Sequence, residues 1–230
     1  MTMTNLGFLL AFAIATMTTT MDATAAAKFL ALGDSYTIGE GVAEDERWPM
    51  QLARRLRADG VDIGDPTIVA TTGWTTDELS AAMDATTFAP PYGLVTLLIG
   101  VNNQYRGRSV DDYRDEFGAL LVRAMALAGA KPSHVVVVSI PDWGVTGFAR
   151  ESGRDRAAIA REIDAYNAAA RDIATKRGVA FVDVTRISRD AGNADAMLVG
   201  DRLHPSAGQY EKWADAIDAA ARQSLNTARD

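Results

Sequence analysis

Hydrophobic positions along the 230-residue chain follow two rhythms that alternate. Short, mainly apolar runs at residues 28–32 (KFLAL), 67–71 (TIVAT), 93–99 (GLVTLLI), 134–140 (HVVVVSI) and 179–182 (VAFV) have the length and branched content of buried strands. Between them apolar residues recur every three or four positions, as on an amphipathic helix. Residues 46–59 put Trp48, Leu52 and Leu56 on one face, with Pro49 tolerated in the first turn and Gly60 as the stop. Thr75 or Thr76, with Glu78 behind it, caps a second helix. Ser109 caps a third, whose acidic first turn (Asp111, Asp112) precedes the stripe Val110, Tyr113, Phe117, Leu120, Leu121 and Ala124. Ile159, Ile163, Tyr166, Ala170 and Ile173 mark a fourth helix; Tyr210, Trp213, Ile217 and Ala220 or Ala221 mark the last.

Strands alternating with helices predict an α/β fold, a parallel sheet covered on both faces. Right-handed crossovers leave few topologies, and five strands suit the flavodoxin-like order 2-1-3-4-5. Its switch point falls between the first and third strands, where ligands collect beyond the carboxyl ends. No repeat or linker divides residues 28–230, which read as one domain.

The net charge of -7 argues against a broad nucleic-acid surface, which needs clustered basic residues. The absence of cysteine removes disulfides, thiolate metal sites and cysteine nucleophiles, and two histidines, His134 and His204, are too few for a histidine-rich metal site. Residues 6–15 (LGFLLAFAIA) have the length of a signal-peptide core and are too short to span a bilayer. Small residues at Ala23-Thr24-Ala25 and Ala25-Ala26-Ala27 resemble cleavage sites, so residues 1–27 read as an export leader to the periplasm or medium. Translation from Met21 would instead give a cytoplasmic protein.

The unusual polar residues gather at the strand ends. Gly33-Asp34-Ser35 follows the first strand, Gly73 the second, Asn102 the third, and His204 lies beyond the fifth. A serine hydroxyl is a poor nucleophile until a base takes its proton, and imidazole does so near neutral pH. Ser35 is therefore the candidate nucleophile and His204 its base. Asp201, three residues before His204, can orient the ring; Asp34 and Asp183 are rivals for that part. The Ser35 N–H, the Gly73 N–H and the Asn102 amide are candidate oxyanion donors. The phosphate-loop pattern fails, since Glu40 stands where its lysine belongs. His134, at the opposite end of its strand, reads as structural. Tyr36, Trp74, Tyr105 and Trp143 lie beside the polar tips and can wall a pocket, while Arg106 and Arg108 offer charge to an anionic group.

These blocks together resemble the SGNH hydrolases, the GDSL-type esterases and lipases: Gly33-Asp34-Ser35, then Gly73, then Gly100-x-Asn102, then Asp201-x-x-His204. The resemblance implies a three-layer α/β/α fold and ester hydrolysis through an acyl-enzyme, without metal or cofactor. It implies a Ser35–His204–Asp201 triad with Ser35, Gly73 and Asn102 as oxyanion donors. Tyr36 replaces the signature leucine. Asn103 stands where an aspartate is usual, which puts the support of the asparagine turn in question. Short connections after the strands predict a small open site and a short-acyl ester as substrate. A carbohydrate acetyl ester, a lysophospholipid or a thioester are alternatives, and a non-catalytic binding module on the same fold is the rival of another class.

Overall fold

All five apolar runs form strands in a computed structural model that describes residues 25–226. They are β1 (Phe29–Gly33), β2 (Thr67–Ala70), β3 (Leu94–Leu98), β4 (Val135–Val138) and β5 (Ala180–Val182). Every pairing is parallel and the order is β2-β1-β3-β4-β5, as the alternation predicts. β1, β3 and β4 are buried along their whole length, whereas the edge strands β2 and β5 are partly exposed. That gradient follows from helices covering both faces of the sheet centre.

The long helices match the periodic stretches: α2 (Trp48–Ala58), α3 (Thr76–Ala85), α5 (Val110–Leu127), α7 (Arg156–Lys176) and α9 (Ala207–Asn226). α2 packs on α9 over one face of the sheet, while α3, α5 and α7 follow one another over the other. Trp48, Leu52 and Leu56 of α2 are fully buried, as are Tyr210, Trp213, Ile217 and Ala221 of α9. Pro49 sits in the first turn of α2, so the helix starts at Trp48 and not at residue 46; residues Glu44–Glu46 form a separate 3-10 turn. Thr75, not Thr76, is the cap of α3: its N–H donates to Glu78 Oε2 at 2.8 Å. His134 closes the 3-10 turn Pro132–His134, and the strand begins one residue later.

Four short helices, α1 (Ser35–Ile38), α4 (Val101–Tyr105), α6 (Gly147–Glu151) and α8 (Thr185–Ala191), lie in stretches where the sequence pattern marks no helix. Pieces this short show no helical period. Residues 6–15 and most of the expected leader lie outside the described residues. Ala27 already belongs to the fold, since its N–H donates to the Asp62 carbonyl and its carbonyl accepts from Gly64, both at 3.0 Å. Among the described residues no helix is long and apolar enough to cross a membrane.

β1 ends in a close approach. A Cβ on Gly33 would stand 2.5 Å from the Leu98 carbonyl and 2.2 Å from Thr37 Oγ1, so the turn into α1 packs directly against the end of β3. Asp34 then caps α1, its Oδ1 accepting the Tyr36 N–H at 3.0 Å. The carboxyl is wholly buried, and burial drives its pKa up to about 7 against the pull of the Tyr36, Gly100 and Asp34 N–H groups. Between the ordinary value of 3.8 and about 7, the folded protein retains a proton that the unfolded chain has released. Stability from this group is therefore full below the lower value and declines as pH rises through the window. Relative to Asp34→Asn, the parent protein should lose on the order of 4 kcal/mol across that window in urea titrations. Parallel pH profiles for the two proteins would show that Asp34 ionises without penalty.

Candidate active site

Parallel pairing of β1 with β3 puts Gly33 opposite Leu98, so the turns at the ends of the two strands lie side by side. Ser35 is the first residue of α1 and is almost buried at 4 % exposure. The first N–H groups of a helix have no partner within it, which leaves donors at this end. Gly39 closes α1 in the left-handed conformation (φ 71°) and returns its N–H to the Ser35 carbonyl at 3.0 Å.

The neighbouring turn begins at Gly100, whose φ of 128° and whose missing Cβ, 2.5 Å from the Tyr113 ring, both require glycine. α4 then presents Asn102, whose Nδ2 donates to the Trp74 carbonyl at 2.9 Å. A primary amide has two N–H donors, so the second remains for the cleft. Gly73, at φ 88°, precedes Trp74 in the turn after β2. Arg106 Nη2 donates to the Gly73 carbonyl at 2.7 Å, and Thr72 Oγ1 meets the Glu40 carboxylate beyond α1.

Asn103, where the sequence raised a question, is fully buried and supports its turn with both ends of its amide. Oδ1 accepts the Thr76 N–H at 3.1 Å, and Nδ2 donates to Thr76 Oγ1 at 2.6 Å and to Glu116 Oε2 at 3.4 Å. An aspartate here would face the Glu116 carboxylate, so the neutral amide suits this particular surrounding.

The histidine comes from a hairpin. Leu198 bridges Pro205 antiparallel, the Val199 N–H donates to the His204 carbonyl at 2.9 Å, and the Ser206 N–H donates to the Met197 carbonyl at 2.9 Å. Arg202 at its tip has φ 60°, an uncommon conformation for a residue with a side chain. It is held there by α6: its carbonyl accepts the Phe148 N–H at 3.1 Å, its guanidinium pairs with Glu151, and Gly147 leaves room for that group. Within the hairpin Asp201 Oδ2 lies 2.6 Å from His204 Nδ1, while Oδ1 accepts the N–H groups of Leu203 and His204 at 2.8 and 3.0 Å. Partial burial raises the Asp201 pKa, but these bonds outweigh it and hold the carboxyl below the usual range. The carboxylate only accepts, so Nδ1 carries the ring proton and Nε2 keeps its lone pair.

The two rival acids are engaged elsewhere. Asp34 caps α1, and Asp183 accepts from Ser139 Oγ at 3.2 Å, the Thr185 N–H at 2.9 Å and Arg171 at 3.3 Å. Ser35, Gly73, Asn102 and His204 all line one cleft of about 240 Å³. Of the four aromatics singled out in the sequence, Tyr36, Tyr105 and Trp143 wall it; Trp74 does not, its side chain packing against the core while its carbonyl anchors Asn102. Val101, Phe148 and Leu203 complete the apolar walls. Phe148 lies 6.1 Å from the Trp143 ring, and Trp143 lies 5.4 Å from Tyr105. Arg154 covers Tyr105 and Trp143 at 5.1 and 5.3 Å. Sequence could not have placed Phe148, because nothing marks α6 as lying over the cleft. Arg108 is paired with Asp77 at 2.6 Å and holds that carboxyl down at about 2, and Arg106 is paired with Glu78.

Solved structures of similar fold include TesA, with a TM-score of 0.67 and 20% identity over 86% of this chain and 99% of that one. The psychrotrophic esterase EstA from Pseudoalteromonas sp. gives 0.65 and 20% over 86% and 98%. Axe2, an acetylxylan esterase from Geobacillus stearothermophilus, gives 0.67 and 18% over 87% and 96%. No curated protein matches the chain in sequence. The profile of the GDSL-like lipase/acylhydrolase family matches residues 31–212, from β1 into α9. By a match of that extent the chain belongs to the GDSL-like lipase/acylhydrolase family, serine hydrolases that act on ester bonds.

Proposed function

We propose that this enzyme hydrolyses short-acyl carboxylic esters through an acyl-enzyme on Ser35. The observation that carries this reading is the Asp201–His204 bond of 2.6 Å at a cleft that Ser35, Gly73 and Asn102 also line. Ser35 Oγ attacks the ester carbonyl carbon while its proton passes to His204 Nε2. The carbonyl oxygen becomes an oxyanion that accepts from the Ser35 and Gly73 N–H groups and from the second Asn102 N–H. His204 then gives its proton to the departing alcohol, and the C–O bond to the alcohol breaks. In the second half a water adds to the acyl-serine, losing a proton to His204; the carboxylic acid leaves and Ser35 regains its hydrogen. Asp201 holds the ring and stabilises the imidazolium in both halves.

The reading predicts graded losses on p-nitrophenyl acetate. Ser35→Ala should lower kcat by about a million-fold, and Asn102→Ala by about a hundred- to a thousand-fold. Turnover surviving in Ser35→Ala would remove the acyl-enzyme from consideration.

Cleft size supports the short acyl chain. About 240 Å³ between aromatic walls holds a few carbons beside the leaving group. Across a series of p-nitrophenyl esters, kcat/KM should be greatest from acetyl to butyryl and fall by at least about tenfold at octanoyl. Rising values with chain length would favour a lipid substrate.

An export leader is proposed to lie within residues 1–27 and to precede the hydrolase domain, with Ala27 on the domain side of the cut. The hydrogen bonds of Ala27 to Asp62 and Gly64 favour cleavage after Ala25 over cleavage after Ala27. Intact-mass measurement of exported protein should then give an N-terminus at Ala26; a cytoplasmic product starting at Met21 would refute export.

A further inference from the structure

Two separate turns carry the proposed oxyanion donors Gly73 and Asn102, and Arg106 is the side chain that ties the Gly73 carbonyl itself to the other turn. Arg106 closes α4, its backbone N–H donating to the Asn102 carbonyl at 3.0 Å. Its guanidinium folds back to the other turn, where Nη2 donates to the Gly73 carbonyl at 2.7 Å and Nη1 meets Glu78 at 3.3 Å. Glu78 is itself fixed, since Oε2 accepts the Thr75 N–H and hydroxyl at 2.8 and 2.9 Å. Gly73 has no side chain with which to anchor its own turn. Instead two successive carbonyls are tied to α4, that of Gly73 by Arg106 and that of Trp74 by Asn102.

We propose that Arg106 is a positioning residue for the oxyanion site, holding the Gly73 N–H at a set separation from the Asn102 amide. This rests on the reading of Gly73 and Asn102 as donors. A lysine is a poor replacement, because its single rotating ammonium lacks the rigid planar fork that holds a carbonyl and a carboxylate at a set separation. The Arg106–Glu78 pair is roughly half exposed, with side chains 44% and 41% accessible, and a pair of that kind adds little to stability. Loss of Arg106 therefore registers in rate and not in melting temperature.

The test is p-nitrophenyl acetate kinetics for Arg106→Ala, Arg106→Lys, Asn102→Ala and the Arg106→Ala/Asn102→Ala pair, with a melting temperature for each. Arg106→Ala should lower kcat by about 10- to 100-fold with KM within about twofold, as expected for displaced catalytic donors. Arg106→Lys should recover little, and guanidinium ion added to Arg106→Ala should restore part of the rate. In the Asn102→Ala background the further loss should shrink below about threefold, because both changes act through one site. An impaired Asn102→Ala beside an unimpaired Arg106→Ala overturns the positioning role alone. A raised KM at constant kcat also overturns it, by moving Arg106 to substrate binding, as does a kcat loss matched by a lowered melting temperature and insensitive to guanidinium. Full activity in Asn102→Ala removes the donor assignment itself.

Discussion

Parallel hydrogen bonding between β1 and β3 sets the scale of everything at the carboxyl edge. With Gly33 opposite Leu98, the chain must leave both strands within one strand spacing and find room for two helices there. Glycine at 33 and at 100 provides that room, one by the absence of a Cβ against the Leu98 carbonyl, the other by a φ of 128° beneath the Tyr113 ring. Asp34, caught between the turns, becomes a buried acid as a result. Its burial is a consequence of close packing and is tolerated because backbone N–H groups face it.

The remaining parts are attached by local devices of different strength. The histidine hairpin is self-contained, with Asp201 bonding both the ring and two backbone N–H groups of the same loop. α6 holds it from outside, through Arg202 and Phe148. Val199 of the hairpin packs where Gly41 lacks a Cβ, 2.7 Å from where that atom would be, so the loop after the serine helix and the loop before the histidine touch directly. Two segments more than 150 residues apart in sequence thus meet by loop-to-loop packing, with sheet register bringing in the other turns.

Much of this was legible in the order of residues. Strand length, helical stripes and the parallel order follow from periodicity, because burial on one face or two leaves a repeat that can be counted. The polar tips were legible as a set because a parallel sheet brings the carboxyl ends of all its strands to one edge. The illegible parts depend on contacts without a period. α4 and α6 are a turn or so long, so Val101 and Phe148 give no sign of facing the cleft. Trp74 looks like a wall residue from its position, yet its backbone is what the site uses. Asn103 looks like a loss against the family's aspartate, and only its proximity to Glu116 shows why an amide serves.

The Asn102 amide has one hydrogen committed to the Trp74 carbonyl. Rotating the group by half a turn would set oxygen against oxygen, so only one of its two orientations is populated. Whatever enters the cleft therefore meets an amide dipole that is already aligned. Fixed polarity of this kind resembles a crystal more than a liquid, and it is maintained by a single carbonyl from the neighbouring turn.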